Sequence, residues 1–156
     1  AVAGAVAQAL AVEVNKRHGT DAIVENGGDI FLCSTQPRVV GILPDPESEA
    51  ILGLQFPAER FPLAVCSSSA RIGHSLSLGK GDLVVAISPN GAFADAAATS
   101  LCNMLKEKKD LHRVLEAAQT YESPGPGHAQ DHYLAGLVAQ LGQDLTAWGD
   151  IEFTSL

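Results

Sequence analysis

Cys66-Ser67-Ser68-Ser69-Ala70-Arg71-Ile72-Gly73-His74-Ser75-Leu76-Ser77-Leu78-Gly79-Lys80-Gly81-Asp82 leads into the apolar run Leu83-Val84-Val85-Ala86-Ile87. After Pro89-Asn90-Gly91 comes Ala94-Asp95-Ala96-Ala97-Ala98-Thr99. A run apolar at odd and even positions alike predicts a strand covered on both faces, hence a central one. Turn residues followed by an alanine-rich segment predict a helix from about Phe93 to Lys106. Hydroxyls, glycines, a histidine and a carboxylate therefore flank a central strand, and chemistry is expected there.

Outward from this stretch, Leu63 to Cys66 reads as the strand that enters the serine loop. Arg38 to Leu43 and Ile51 to Phe56 read as two more, separated by Pro44-Asp45-Pro46-Glu47-Ser48. Ala22 to Glu25 and Ile30 to Cys33 bracket Asn26-Gly27-Gly28-Asp29, the signature of a hairpin. Residues 1 to about 18 favour a helix, with Val2, Val6, Ala9, Leu10 and Val14 at helical spacing. Lys16, Arg17 and His18 suit its negative end, and Gly19 is a natural stop.

Downstream, a second helix runs from about Asp110 to Tyr121. A short Pro/Gly linker, Ser123 to Gly127, precedes an apolar segment from Tyr133 to Leu141. Trp148-Gly149-Asp150-Ile151-Glu152-Phe153 reads as a closing edge strand. Strands and helices come in blocks rather than in strict βαβ alternation. The predicted fold class is therefore α+β, antiparallel sheets with helices packed on one face.

The length of 156 residues, 46% of them apolar, fits one domain with an ample core. It opens on Ala1-Val2-Ala3, mid-pattern and without Met, so a missing N-terminal part is expected. A formal net charge of −8 argues against nucleic acid or an anionic membrane as partner, since either needs a basic face. There is no apolar run long enough for a membrane span. Cys33, Cys66 and Cys102 are odd in number and widely spaced, which fits reduced thiols in a cytoplasmic protein better than disulfides or a zinc knuckle.

Asp95 and Thr99 lie four apart, so a helix presents carboxylate and hydroxyl on one face. That is half a site for Mg²⁺, which takes few protein oxygens and completes its shell with phosphate and water. Alternatively, an aspartate in a first turn meets the helix dipole and a threonine bonds back to a carbonyl. Ser67, Ser68 and Ser69 with free backbone amides can cradle an anion, although serine-rich turns also occur without ligands. His74 shares a strand-like face with Leu76 and Leu78, as a hydrogen-bonded core group or as a general acid/base. Gly27 and Gly28 bring backbone close to a ligand, or simply make a hairpin turn. His128 and His132, four apart beside Asp131, lack a third ligand, and a helix-start surface patch accounts for them.

Gly4-Ala5-Val6-Ala7, Glu25 to Asp29, Cys66 to His74 and Ala94 to Thr99 occur together in the order seen in the ApbE-like superfamily. Gly73 to Gly79 and Trp148 to Glu152 resemble an uncharacterised ApbE-related branch of it. The likeness covers nearly the whole chain. It implies a tandem T-fold and an FAD:protein FMN transferase activity that uses Mg²⁺ to split the FAD pyrophosphate. On this resemblance Asp95 and Thr99 are metal ligands, with a backbone carbonyl near Ala5 or Ala7 as a third. Gly27, Gly28 and Asp29 border the nucleotide, and Ser67, Ser68, Ser69 and His74 lie along the flavin and phosphate path.

Two departures stand out. Active members carry Ala-Lys-Gly where this chain has Ala7-Gln8-Ala9, and Asp-Pro-Arg-Thr-Gly where it has Ser77-Leu78-Gly79-Lys80-Gly81. The leading expectation is a protein that binds a flavin (FAD or FMN) or another phosphate-bearing nucleotide with Mg²⁺, with His74 as catalytic group for metal-assisted pyrophosphate cleavage. The departures favour a rival, a non-catalytic binding protein on the same fold. A second rival is a structural protein whose small-residue helices build a homo-oligomer.

Overall fold

The computed structural model describes residues 1–42, 52–69, 82–123 and 129–156. Its elements are α1 (Val2–His18), β1 (Ala22–Asn26), β2 (Asp29–Cys33), β3 (Arg38–Ile42), β4 (Leu52–Phe56), β5 (Leu63–Ser68), β6 (Leu83–Ser88), α2 (Gly91–Met104), α3 (Asp110–Gln119), β7 (Gly136–Leu141), β8 (Asp144–Gly149) and β9 (Glu152–Ser155). Every strand pairing is antiparallel. One sheet has six strands in the order β1-β2-β5-β6-β7-β8, and a second has three in the order β3-β4-β9. The fold is α+β.

Alternation along the six-stranded sheet splits its side chains between two cores. Phe31, Cys33, Ala64, Cys66, Val84, Ala86, Leu137 and Ala139 face the helices, against Ala7, Ala11, Ala98, Leu101 and Val114. Leu32, Leu63, Val65, Leu83, Val85, Ile87 and Val138 face the small sheet, against Val40, Ile42, Leu54 and Phe56. The layers are thus helices, large sheet, small sheet. The unbroken apolar character of β6 follows from this, because it is the strand with a core on each side.

One expectation is corrected. The single closing strand from Trp148 to Phe153 is two strands in different sheets: β8 ends at Gly149 as the edge of the large sheet, and β9 pairs with β4. In α1 the buried residues are Gly4, Ala7 and Ala11, whereas Val2, Val6, Leu10 and Val14 are exposed. Small residues face inward because α1 lies close on its neighbours. A Cβ on Gly4 would stand 2.2 Å from the Gly91 carbonyl oxygen of α2, so only glycine fits at that crossing.

Candidate functional site

The hairpin turn, the end of β5 and the first turns of α1 and α2 meet at one end of the large sheet. In the β1–β2 turn, Asn26 pairs with Asp29, while Gly27 (φ +64°) and Gly28 (φ +94°) occupy the left-handed region that the reversal requires. The Gly28 amide donates to Glu25 Oε1 at 2.8 Å. Its carbonyl accepts from the Ser67 amide at 3.2 Å and the Ser67 hydroxyl at 3.0 Å. A Cβ on Gly28 would meet that hydroxyl at 2.8 Å, so the bare backbone lets the turn dock on the serine segment.

These segments enclose a cleft of about 970 Å³. Its polar wall holds Gly27, Gly28, Asp29, Ser67, Ser68, Ser69, Asp95 and Thr99, with Ala1, Val2 and Ala3 at the start of α1. Its apolar wall is Val40, Ile42, Val65, Leu83 and Val85, drawn from the seam between the two sheets. The side chains and glycines expected to bind phosphate, nucleotide or metal therefore line one space, apart from His74, which lies outside the described residues. From α1, the cleft is lined by residues 1–3 and not by Ala5 or Ala7.

Asp95 sits on the fifth residue of α2, beyond the first turn, so the dipole explanation does not account for it. Its side chain instead reaches α1, where Oδ2 accepts from the Gly4 amide at 3.0 Å and Oδ1 lies 3.5 Å from the Ala1 nitrogen. Ala1 offers α1 no side-chain cap, and the Asp95 carboxylate supplies one from a different helix. Thr99 follows one turn later on the same wall.

Asp29, at the start of β2, is directly opposite Cys66 on β5. It is only 5% exposed, and its Oδ1 is buried with no hydrogen-bond partner among the described residues. Burial, then the charge of neighbouring Asp95 and a hydrogen bond with it, push its carboxyl up to about 7, against weaker opposing contacts from the Cys66 thiol and the Ser67 amide. Burial and the same two carboxylates push the Cys66 thiol well above its ordinary range. The Cys66 thiol donates to the Gly91 carbonyl at 3.7 Å. Among the described residues no group of three or more His, Cys, Asp or Glu side chains is arranged around a metal position. The site offers two carboxylates and a hydroxyl, the oxygen chemistry that suits Mg²⁺ rather than zinc.

Gln8 does not line the cleft. Its Oε1 accepts from the Gly91 amide at 2.7 Å and closes the start of α2. His132 stacks on Phe93 at 5.7 Å and lies 4.0 Å from Asp131 Oδ1, while His128 is outside the described residues. Sequence reasoning missed the capping role of Asp95 and the meeting of Asp29 with Asp95 and Cys66. The Asp29–Cys66 register depends on pairing β2 with β5, which the β3–β4 excursion separates along the chain, and no local pattern carries that pairing.

Comparison with known proteins gives the lineage. The UPF0280 protein of Methanothrix thermoacetophila is 36% identical over 152 residues, 97% of this chain and 59% of that protein. The UPF0280 protein of Methanospirillum hungatei JF-1 is 32% identical over 154 residues, 97% of this chain and 57% of that protein. That of Methanocella arvoryzae is 42% identical over 112 residues, 71% of this chain and 45% of that protein. The chain thus spans less than two thirds of the length of these curated relatives. A family model described as AbpE bacteria matches residues 1–123, a span that includes every cleft residue named above. The chain therefore belongs to the AbpE bacteria family, and the archaeal UPF0280 proteins are its relatives.

Proposed function

We propose that the cleft binds a phosphate-bearing nucleotide, in particular a flavin such as FAD or FMN, together with Mg²⁺ held at Asp95 and Thr99. The observation that carries this reading is the convergence of the hairpin turn, the serine segment and the Asp95/Thr99 face on one cleft of about 970 Å³. That size suits a cofactor, since small-molecule sites commonly run to ~300–1,000 Å³. The two walls divide the labour. Val40, Ile42, Val65 and Val85 offer an apolar surface to a flat ring system, and the Gly27–Gly28 backbone with Ser68 and Ser69 offers polar groups to phosphate.

A bound Mg²⁺ supplies positive charge to pyrophosphate oxygens, which is the chemistry needed to cleave FAD or transfer FMN. Asp95 would anchor the cation while fixed by the Gly4 amide, and Thr99 would add a neutral oxygen. Flavin fluorescence titrations with and without Mg²⁺ test the reading. The wild-type protein is expected to bind FAD in a Mg²⁺-dependent manner, and Asp95→Ala to lose that dependence. An Asp95→Ala variant with full affinity and full Mg²⁺ dependence would sink the proposal.

A second reading, binding without turnover on the same fold, is favoured by Gln8. This side chain is engaged in capping α2 and brings no cation to the cleft. Release of AMP from FAD separates the two readings: product supports the transferase-type reaction, and tight Mg²⁺-dependent binding without product supports the carrier.

A further inference from the structure

Asp29 has a place in the fold that nucleotide contact alone does not explain. Its neighbours are the Asp95 carboxylate, the Cys66 thiol and the Ser67 amide, and its Oδ1 is left without a hydrogen-bond partner among the described residues. Among those residues Asp95 Oδ1 faces the Ala1 nitrogen at 3.5 Å, and no lysine or arginine pairs with Asp29 or Asp95. Two carboxylates side by side, one of them 5% exposed with an orphaned oxygen, form an arrangement that costs free energy until positive charge is placed between them.

We propose that Asp29 and Asp95 together hold one divalent metal ion of the Mg²⁺ class, so that Asp29 is a metal ligand as well as a border of the cleft. The inference rests on the reading in which Asp95 binds the cation, and adds a second carboxylate from the same polar wall. Two features of the site agree. The orphaned Oδ1 gains a partner. The ligand atoms come from β2 and α2, two elements already fixed by packing, so the site needs little rearrangement to form. Oxygen donors alone then favour a hard cation, with water and phosphate oxygens completing its shell.

The test is Mn²⁺ binding followed by electron paramagnetic resonance, with Mn²⁺ alone as the probe, on the wild-type chain, Asp29→Asn and Asp95→Asn. The wild type is expected to take up one Mn²⁺. Loss of even an outer partner of a metal site commonly costs roughly 10–100-fold in affinity, so Asp29→Asn is expected to bind at least about tenfold more weakly. Without metal its melting temperature should equal or exceed that of the wild type, because a repulsion has been removed. Asp29→Ser, with the same readout, serves if Asp29→Asn does not fold. Affinity within about twofold of wild type for the Asp29 variant that folds, alongside loss in Asp95→Asn, overturns the role of Asp29 and leaves Asp95 as a metal ligand. No Mn²⁺ uptake by the wild type overturns both.

Discussion

At the crossing of α1 and α2, a methyl group on Gly4 would stand 2.2 Å from the Gly91 carbonyl oxygen and 2.9 Å from the Asp95 Cβ. Gly4→Ala must therefore push the helices apart or displace Asp95, and overpacking of this kind costs about 1–3 kcal/mol. Denaturant unfolding should show that loss, and an unchanged midpoint would contradict the close crossing. Asp29 gives a pH signature. Its folded carboxyl is held up to about 7, by burial first and by Asp95 second, whereas an unfolded aspartate ionises near about 4. The folded state keeps the proton longer, so the stability from this group is full below about pH 4 and is lost as pH rises through 7. Asp21 acts in the opposite direction: hydrogen bonds from Ser34, the Thr35 amide and Arg38 lower it to about 2, and its contribution is lost as pH falls through that value. Melting temperatures of metal-free Asp29→Asn should gain on the wild type between about pH 4 and 8. A difference that stays constant across that range would refute the assignment.

Among the elements, α1 packs through its small residues and leaves its larger apolar ones outside. Val2, Val6, Leu10 and Val14 have the spacing of a buried stripe, yet they are 77%, 42%, 52% and 41% exposed. The helix packs through Gly4, Ala7 and Ala11 because closeness to α2 and the sheet, not side-chain size, governs that face. Substitution of Val6 and Leu10 by lysine is expected to change the stability of this chain by no more than about 0.5 kcal/mol each, as is usual at exposed positions. Thermal melts that fall well beyond this would place the stripe in a core. By contrast β6, α2 and the β1–β2 hairpin were legible, since each carries its own signal: an unbroken apolar run, an Asn90 cap that accepts from the Phe93 amide at 2.9 Å, and adjacent glycines. The division between β8 and β9 was not legible, because a turn at Asp150 sends the chain into another sheet and only the β4 partner reveals it.

On the scale of the whole molecule, the cleft depends on both sheets, the small one supplying Val40 and Ile42 to its apolar wall. Leu54 is fully buried between the sheets, and Leu54→Ala should cost about 2–5 kcal/mol. The residues of the candidate site were legible singly, as a glycine turn, a serine run and an Asp95/Thr99 pair. Their meeting place was not, because it depends on antiparallel pairing of distant strands and on the approach of α1 to α2. The central claim is that this meeting place is a Mg²⁺-dependent nucleotide cleft. A thermal-shift titration with FAD, FMN, ADP and ATP, each with and without Mg²⁺, addresses it most directly. A ligand at a hundred times its Kd stabilises the native state by ~2.7 kcal/mol. For a chain of this size, at about 2–4 °C per kcal/mol, that amounts to a rise of roughly 5–10 °C. The account predicts such a rise with FAD that requires Mg²⁺; no shift with any of the four nucleotides, in the presence or absence of the metal, would contradict it.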